Sequence, residues 1–84
     1  MARVLLFGAF GDMAGWTERE VAADTLGALR IQVAGSDPGL AARLSSPSTL
    51  VIVNDTLLPH SLRPDDHLLA PRDEVAFGPP VSGG

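Results

Sequence analysis

The sequence predicts an α+β fold: a mixed sheet with one main helix laid across it and an extended C-terminal tail. Three observations carry this. Apolar, β-favouring runs stand near the start (Val4–Phe7), in the middle (Leu50–Val53) and near the end (Val75–Phe77). Between the first two, Leu26, Leu29 and Val33 recur at helical spacing and give one apolar stripe to lay on a sheet. The last seven residues, Gly78-Pro79-Pro80-Val81-Ser82-Gly83-Gly84, carry no charged side chain and two adjacent prolines, so the sheet ends before them. The expected organisation is a single folded domain over residues 1–77 and a flexible tail over 78–84.

Each element has a local reason. Arg3-Val4-Leu5-Leu6-Phe7 is closed by Gly8 and reads as the first strand. Gly8, Gly11 and Gly15 then punctuate GAFGDMAG, which reads as a flexible loop. Thr17-Glu18-Arg19-Glu20-Val21 is short and mostly polar, suited to an edge strand paired back onto the first. Asp24 or Thr25 offers a side-chain oxygen to cap the helix that follows, and Gly35 with Pro38 ends it. Leu40, Ala41 and Leu44 suit one more helical turn. Leu50-Val51-Ile52-Val53 is apolar at every position, which predicts a central strand. Asn54-Asp55 is a turn pair from which Thr56-Leu57-Leu58 returns as a short strand. A connection rich in Pro, Asp and His spans Pro59–Pro71, and Glu74-Val75-Ala76-Phe77 is the last strand. Two hairpins with one helix across a mixed sheet is the β-grasp, or ubiquitin-like, arrangement.

Composition narrows the function. The chain has 84 residues, 45% of them hydrophobic, enough for one core and not for two. It has no cysteine, so disulfides, thiolate metal sites and thiol nucleophiles are excluded. The net charge is -4 and the pI about 4.8, with no basic stripe interleaved with aromatics, which argues against nucleic acid as a partner. No apolar run is long enough to span a bilayer, and MARVLLFGAF lacks the features of a signal peptide, so a cytoplasmic location is expected. All six cationic side chains are arginine. A GC-rich coding sequence accounts for that, and so does the need to keep amines away from an activated carboxyl group.

Motifs for catalysis are missing. GAFGDMAG has neither the Lys-Ser/Thr of a phosphate loop nor G-x-G-x-x-G spacing. His60, Asp65, Asp66 and His67 are ligand types for zinc, but their segment is interrupted by Pro64 and lacks helical spacing, which favours a solvated loop over a metal site. No nucleophile elbow is present. Asp73 and Glu74 are adjacent at a strand start, where their side chains diverge, so they make no acid–base pair.

The tail remains. Gly83-Gly84 lacks Cβ atoms and can enter a slot too narrow for other residues. Pro79 and Pro80 stiffen the approach. From Gly78 to Gly84 the reach is roughly 20 Å at ~3.3 Å per residue. Such a stalk suits delivery of a terminal carboxylate into another protein's active site. A carboxylate is a poor electrophile and needs activation, for example as an acyl-adenylate. Sulfide can then displace AMP and leave a thiocarboxylate, a sulfur nucleophile that needs no cysteine.

DEVAFGPPVSGG resembles the C-terminus of the MoaD/ThiS sulfur-carrier family, in particular its molybdopterin synthase small subunits. The RVLLFGAF opening, the TLGAL helix start and the VND turn fit that family in the same order. The resemblance covers essentially the whole chain, and EVAF followed by PPVSGG is its specific part. It implies a β-grasp fold and no catalysis by the isolated chain. It implies that Gly84 is adenylated by a ubiquitin-activating-type enzyme that uses ATP, then converted to a thiocarboxylate. No bound cofactor and no metal is implied. The loaded tail would enter the large synthase subunit and give sulfur to cyclic pyranopterin monophosphate, in a heterotetramer of two large and two small subunits. By position, Gly84 bears the reacting carboxyl group and Gly83 gives clearance. Pro79, Pro80, Val81 and Ser82 belong to the partner-binding tail. Phe7 and Phe77 are candidates for an apolar docking surface or for the core. Gly78 stands where the family has a bulky residue, which predicts a loosened tail root or a lost docking contact. Alternatives are a carrier for thiamin or cysteine synthesis, a ubiquitin-like modifier joined to target lysines, and an interaction domain with an inert C-terminus. Thiamin carriers usually lack Pro-Pro before Gly-Gly, so the tail favours the molybdopterin branch.

Overall fold

In a computed structural model, which describes residues 1–59, 61 and 64–80, the chain forms a five-stranded mixed sheet with helices on one face. The elements in order are β1 (Ala2–Leu6), α1 (Ala9–Ala14), β2 (Glu18–Val21), α2 (Leu26–Ala34), α3 (Pro38–Leu44), β3 (Leu50–Val53), β4 (Thr56–Leu58) and β5 (Glu74–Gly78). The strand order is β2-β1-β5-β3-β4, with β1 and β5 parallel and the other pairs antiparallel. This is the β-grasp arrangement.

The alternation of side chains along each strand sorts the sheet into two faces. Val4, Leu6, Val51, Val75 and Phe77 point into the core, each at most 2% exposed. They meet Phe10 of α1, Leu26, Leu29 and Val33 of α2, and Leu40 and Leu44 of α3. The helices bury their apolar positions here because both helix and sheet must hide one apolar side.

The ends of α2 and α3 follow from their capping residues. Thr25 is extended, and its Oγ1 accepts from Ala28 N at 3.2 Å. Gly35 closes α2 at φ 57°. Asp37 Oδ1 accepts from Gly39 N and Leu40 N, with Pro38 at the start of α3, where its missing N–H costs nothing. The expected single turn around Leu40 is therefore a full helix of seven residues.

Two other expectations change. GAFGDMAG is not a loop: its two outer glycines are the ends of α1, with Gly8 as N-cap at φ 59° and Gly15 as left-handed C-cap at φ 83°. Phe10, 4% exposed, anchors this short helix to the core. Gly11 fits because an added Cβ would meet Thr17 Cγ2 at 3.0 Å. β3 is an interior strand, as expected, but the middle one is β5. β3 lies between β5 and the edge strand β4, and only its Val51 is buried. Its all-apolar sequence reflects a sheet face that no helix covers.

The connection after β4 packs against the start of α2. Leu26 N donates to His67 O and Gly27 N to Asp65 O, both at 2.9 Å, and Leu69 N donates to Asp24 O at 2.8 Å. The first two bonds satisfy helix amides that have no partner within the helix. Gly27, unfavourable within a helix, is required here. A Cβ on it would lie 2.8 Å from Asp65 Cβ and 2.9 Å from Asp65 O.

Candidate functional site: the tail root and the uncovered sheet face

The residues expected to carry chemistry, Gly83 and Gly84, lie outside the described residues, as do Val81 and Ser82. The structure gives the root from which they leave. β5 ends at Gly78, paired with Leu50 on β3. Phe7 N donates to Phe77 O at 3.0 Å, so the last turn of the strand is held from the β1 side as well. Gly78, where the sequence suggested a loosened root or a lost docking contact, is buried within this pairing. Pro79 and Pro80 are exposed immediately beyond. Pro79 packs over Gly8, where an ideal Cβ would come within 3.1 Å of the proline ring. Gly8 also has φ 59°, a backbone conformation that side chains rarely adopt. This glycine thus lets the tail cross close above the start of α1.

Phe7 and Phe77 separate. Phe77 is 0% exposed and belongs to the core, so it offers no docking surface. Phe7 is 52% exposed on the opposite face, beside Gly78. The strand register extends the apolar area around it. Leu5, Ala76, Ile52 and Leu57 form one cross-strand row on the uncovered face, and Leu50 pairs with Gly78 in the next row toward the tail. Leu57 is 55% exposed, and Leu5, Leu50 and Ile52 are half-buried. At the far end of the same face the row is charged: Arg3 pairs with Glu20 and Glu74, and its guanidinium contacts Glu18. The apolar half of the face adjoins the tail root.

Leu5, Leu50, Ile52 and Leu57 were not singled out in the sequence. Parity was the available signal. Once Val4 and Leu6 are assigned inward, Leu5 and Phe7 must face outward, and in Val75-Ala76-Phe77-Gly78 the large residues take the core side.

On the other side of the tail root, Phe10, Arg43, Ser46, Ser48, Pro79 and Pro80 line an open groove of about 260 Å³. The His- and Asp-containing connection does structural work. Asp65 is ion-paired with Arg30 at 2.8 Å, and the backbones of Asp65 and His67 cap α2. Among the described residues no group of three or more His, Cys, Asp or Glu is placed to hold a metal ion; His60 lies outside them. Asp73 and Glu74 do diverge. Asp73 accepts from Asn54 and from Ala70 N, and these bonds hold its carboxyl below the usual carboxylate range. Among the described residues no helix is long and apolar enough to cross a membrane.

The profile of the ThiS family matches residues 4–84. The chain belongs to the ThiS family. Among curated relatives, the molybdopterin synthase sulfur carrier subunit of Escherichia coli (strain K12) is 41% identical over 86 residues, covering 100% of both chains. Solved structures of small archaeal modifier protein 1 have the same fold. The protein from Methanosarcina acetivorans superposes with a TM-score of 0.77 at 23% identity, covering 99% of this chain and 95% of that one. The protein from Haloferax volcanii gives 0.68 at 24% identity, covering 99% and 98%. At these identities the structures speak for the ubiquitin-like fold alone. The full-length match to the carrier subunit bears on the tail, because it runs through Gly84.

Proposed function

We propose that this ThiS-family chain is the sulfur carrier subunit of a molybdopterin synthase and is not catalytic alone. The observation that carries the reading is the 41% identity to such a subunit over the full length of both chains. The Pro-Pro-Val-Ser-Gly-Gly tail, rooted on the middle strand of the sheet, supports it.

The chemistry starts from a carboxylate at Gly84. An activating enzyme of the ubiquitin-activating type supplies ATP: a carboxylate oxygen attacks the α-phosphorus, pyrophosphate leaves, and an acyl-adenylate forms. Sulfide then attacks the carbonyl carbon, AMP leaves with the electron pair of the broken C–O bond, and the sulfur gives up its proton to solvent. The product is a thiocarboxylate, whose sulfur bonds to the pterin precursor held by the large subunit as the precursor's oxygen substituent departs, and water then cleaves the acyl–sulfur bond and returns the chain as its Gly84 carboxylate. This chain contributes position. Pro79 and Pro80 direct the tail, Gly83 and Gly84 allow entry, and Phe7, Leu5, Ile52 and Leu57 form the apolar face on which the large subunit seats. The assembly is two large and two small subunits.

Intact mass spectrometry of the protein from its native cells tests the reading. The expected result is a species heavier by the exchange of one oxygen for sulfur, mapped to Gly84, and co-purification with a large synthase subunit. A carboxylate that stays unmodified when the activating enzyme, ATP and a sulfur donor are supplied would overturn it.

A further inference from the structure

The residues just past β1 and those at the end of β5 hold each other. Phe7 and Gly8 follow β1; Gly78 ends β5 and Pro79 begins the tail. Phe7 N donates to Phe77 O at 3.0 Å. The Phe7 side chain lies alongside Gly78, its Cδ2 4.0 Å from the place of an ideal Cβ there. One residue further on the relation inverts. Pro79 Cγ and Cδ lie 3.1 and 3.3 Å from an ideal Cβ on Gly8. Each segment lends one ring to the other's glycine.

The helix that starts at Gly8 does not call for a glycine. N-cap positions favour Ser, Thr, Asp or Asn, whose side-chain oxygen holds a free helix amide, and α1 has no such bond. Gly8 instead takes φ 59° and ψ -136°, a conformation that side chains rarely adopt, and leaves room for the Pro79 ring. The seat under that ring is anchored. Gly8 O accepts from Gly11 N at 3.2 Å and Phe7 O from Phe10 N at 3.3 Å, and Phe10 is buried in the core. Pro79 has no N–H to offer a strand ladder, so its contact with Gly8 is what seats it.

We infer that Gly8 is a positioning residue for sulfur transfer: by seating the Pro79 ring it sets the line on which the tail starts toward the partner's active site. The inference rests on the reading of Gly84 as the reacting carboxyl group. A Cβ at position 8 moves the ring by a few tenths of an ångström or drives the backbone off φ 59°. Rates respond to such shifts, since misplacing reacting atoms by about 1 Å costs on the order of a hundredfold. Gly8 acts through Pro79.

The test uses the full chain with its Gly84 carboxyl converted chemically to the thiocarboxylate, mixed with the large subunit and cyclic pyranopterin monophosphate in single turnover. Intact mass follows the return of the carboxylate across a titration of large subunit, with a precursor-free control subtracted. Gly8→Ala should lower the rate at saturation at least about tenfold and move the half-saturation point by less than about threefold, because the apolar face around Phe7 is unchanged. In a Pro79→Ala background the same change should cost less than about twofold, because the ring that it displaces is gone. Pro79 is exposed, so Pro79→Ala stays folded, and alone it should lower the saturated rate about three- to tenfold. Urea melts establish that each variant is folded; should Gly8→Ala not fold, Pro79→Ala decides. A wild-type rate for either folded single variant, a loss confined to the half-saturation point, or a full tenfold loss for Gly8→Ala in the Pro79→Ala background would overturn the inference and leave the carrier reading standing. Absence of transfer from wild type would overturn the carrier reading, and the inference with it.

Discussion

Asn54 grips the start of β5 with both ends of its side chain. Its Nδ2 donates to Asp73 Oδ1 at 2.8 Å, and its Oδ1 accepts from Glu74 N at 2.9 Å. Its backbone N donates to Glu74 O at 2.9 Å. Asn54 and Asp55 have φ of 49° and 68°, the paired left-handed conformation of a tight hairpin turn, which Asn and Asp tolerate better than other side chains. Asn54 therefore shares the β3–β4 turn with Asp55 and also ties β3 to the start of β5. Asn54→Ala loses both side-chain bonds and adds backbone strain, and should cost about 2–3 kcal/mol in urea unfolding.

The same contact predicts a dependence on pH. Asp73 is held below its ordinary value first by Asn54 and then by Ala70 N, so the folded state favours the carboxylate. A depressed carboxyl contributes stability that is fully present above its unfolded value of about 3.9 and is lost as pH falls through the lower folded value. Wild type should lose stability in that acid window, and Asn54→Ala should show a shallower loss there. Urea midpoints measured between about pH 2 and 5 check the slope.

Gly27→Ala should destabilise although alanine is the better helix former. Propensity favours the change by about 1 kcal/mol, but the new Cβ would overlap the Asp65 backbone, which cannot swing aside as a side-chain tip can. A net loss of about 1–3 kcal/mol is expected from the overpacking. A variant as stable as wild type would show that the segment around Asp65 does not sit against α2 as described.

Phe7 and Phe77 should part company on mutation. Phe77→Ala opens a hole in the core and should cost about 3–5 kcal/mol of stability. Phe7→Ala should leave the unfolding midpoint within about 0.5 kcal/mol and weaken binding to the large subunit by about ten- to a hundredfold, as for an interface anchor. Leu57→Ala on the same face should act in the same direction. Calorimetric titration with the large subunit, beside urea melts, separates the two effects.

Gly78 has room for a side chain. A Cβ there would meet Phe7 Cβ at 3.8 Å, an ordinary contact, and its φ is not left-handed. Gly78→Ala should therefore stabilise the chain by about 0.5–1 kcal/mol by restricting the unfolded state. A drop in melting temperature would contradict the described geometry of the tail root.

Sequence alone revealed the strands whose neighbours agreed with them. Arg3–Phe7 is closed by a glycine, Leu50–Val53 leads into the Asn54-Asp55 turn, and Thr25 sits where a helix cap is needed. α1 was hidden because its three glycines argue for a loop when counted, and for a capped helix only once Phe10 is known to be buried. The central place of β5 was hidden because pairing between the first and last strands is a non-local event that local pattern does not record. The apolar face around Phe7 was half legible. Alternation places Leu5 beside it, but the neighbours on β3 and β4 follow only from the register.

The parallel pairing of β1 with β5 has a mechanical consequence. A pull directed outward at Ala2 and at Gly78 draws the two strands past each other lengthwise, because their outer ends lie at opposite edges of the sheet. The load then falls on the whole β1–β5 ladder together, rather than on one bond at a time as in a zipper opened from its end. A partner that tugs on the tail while the start of β1 is held therefore loads the β1–β5 ladder in shear.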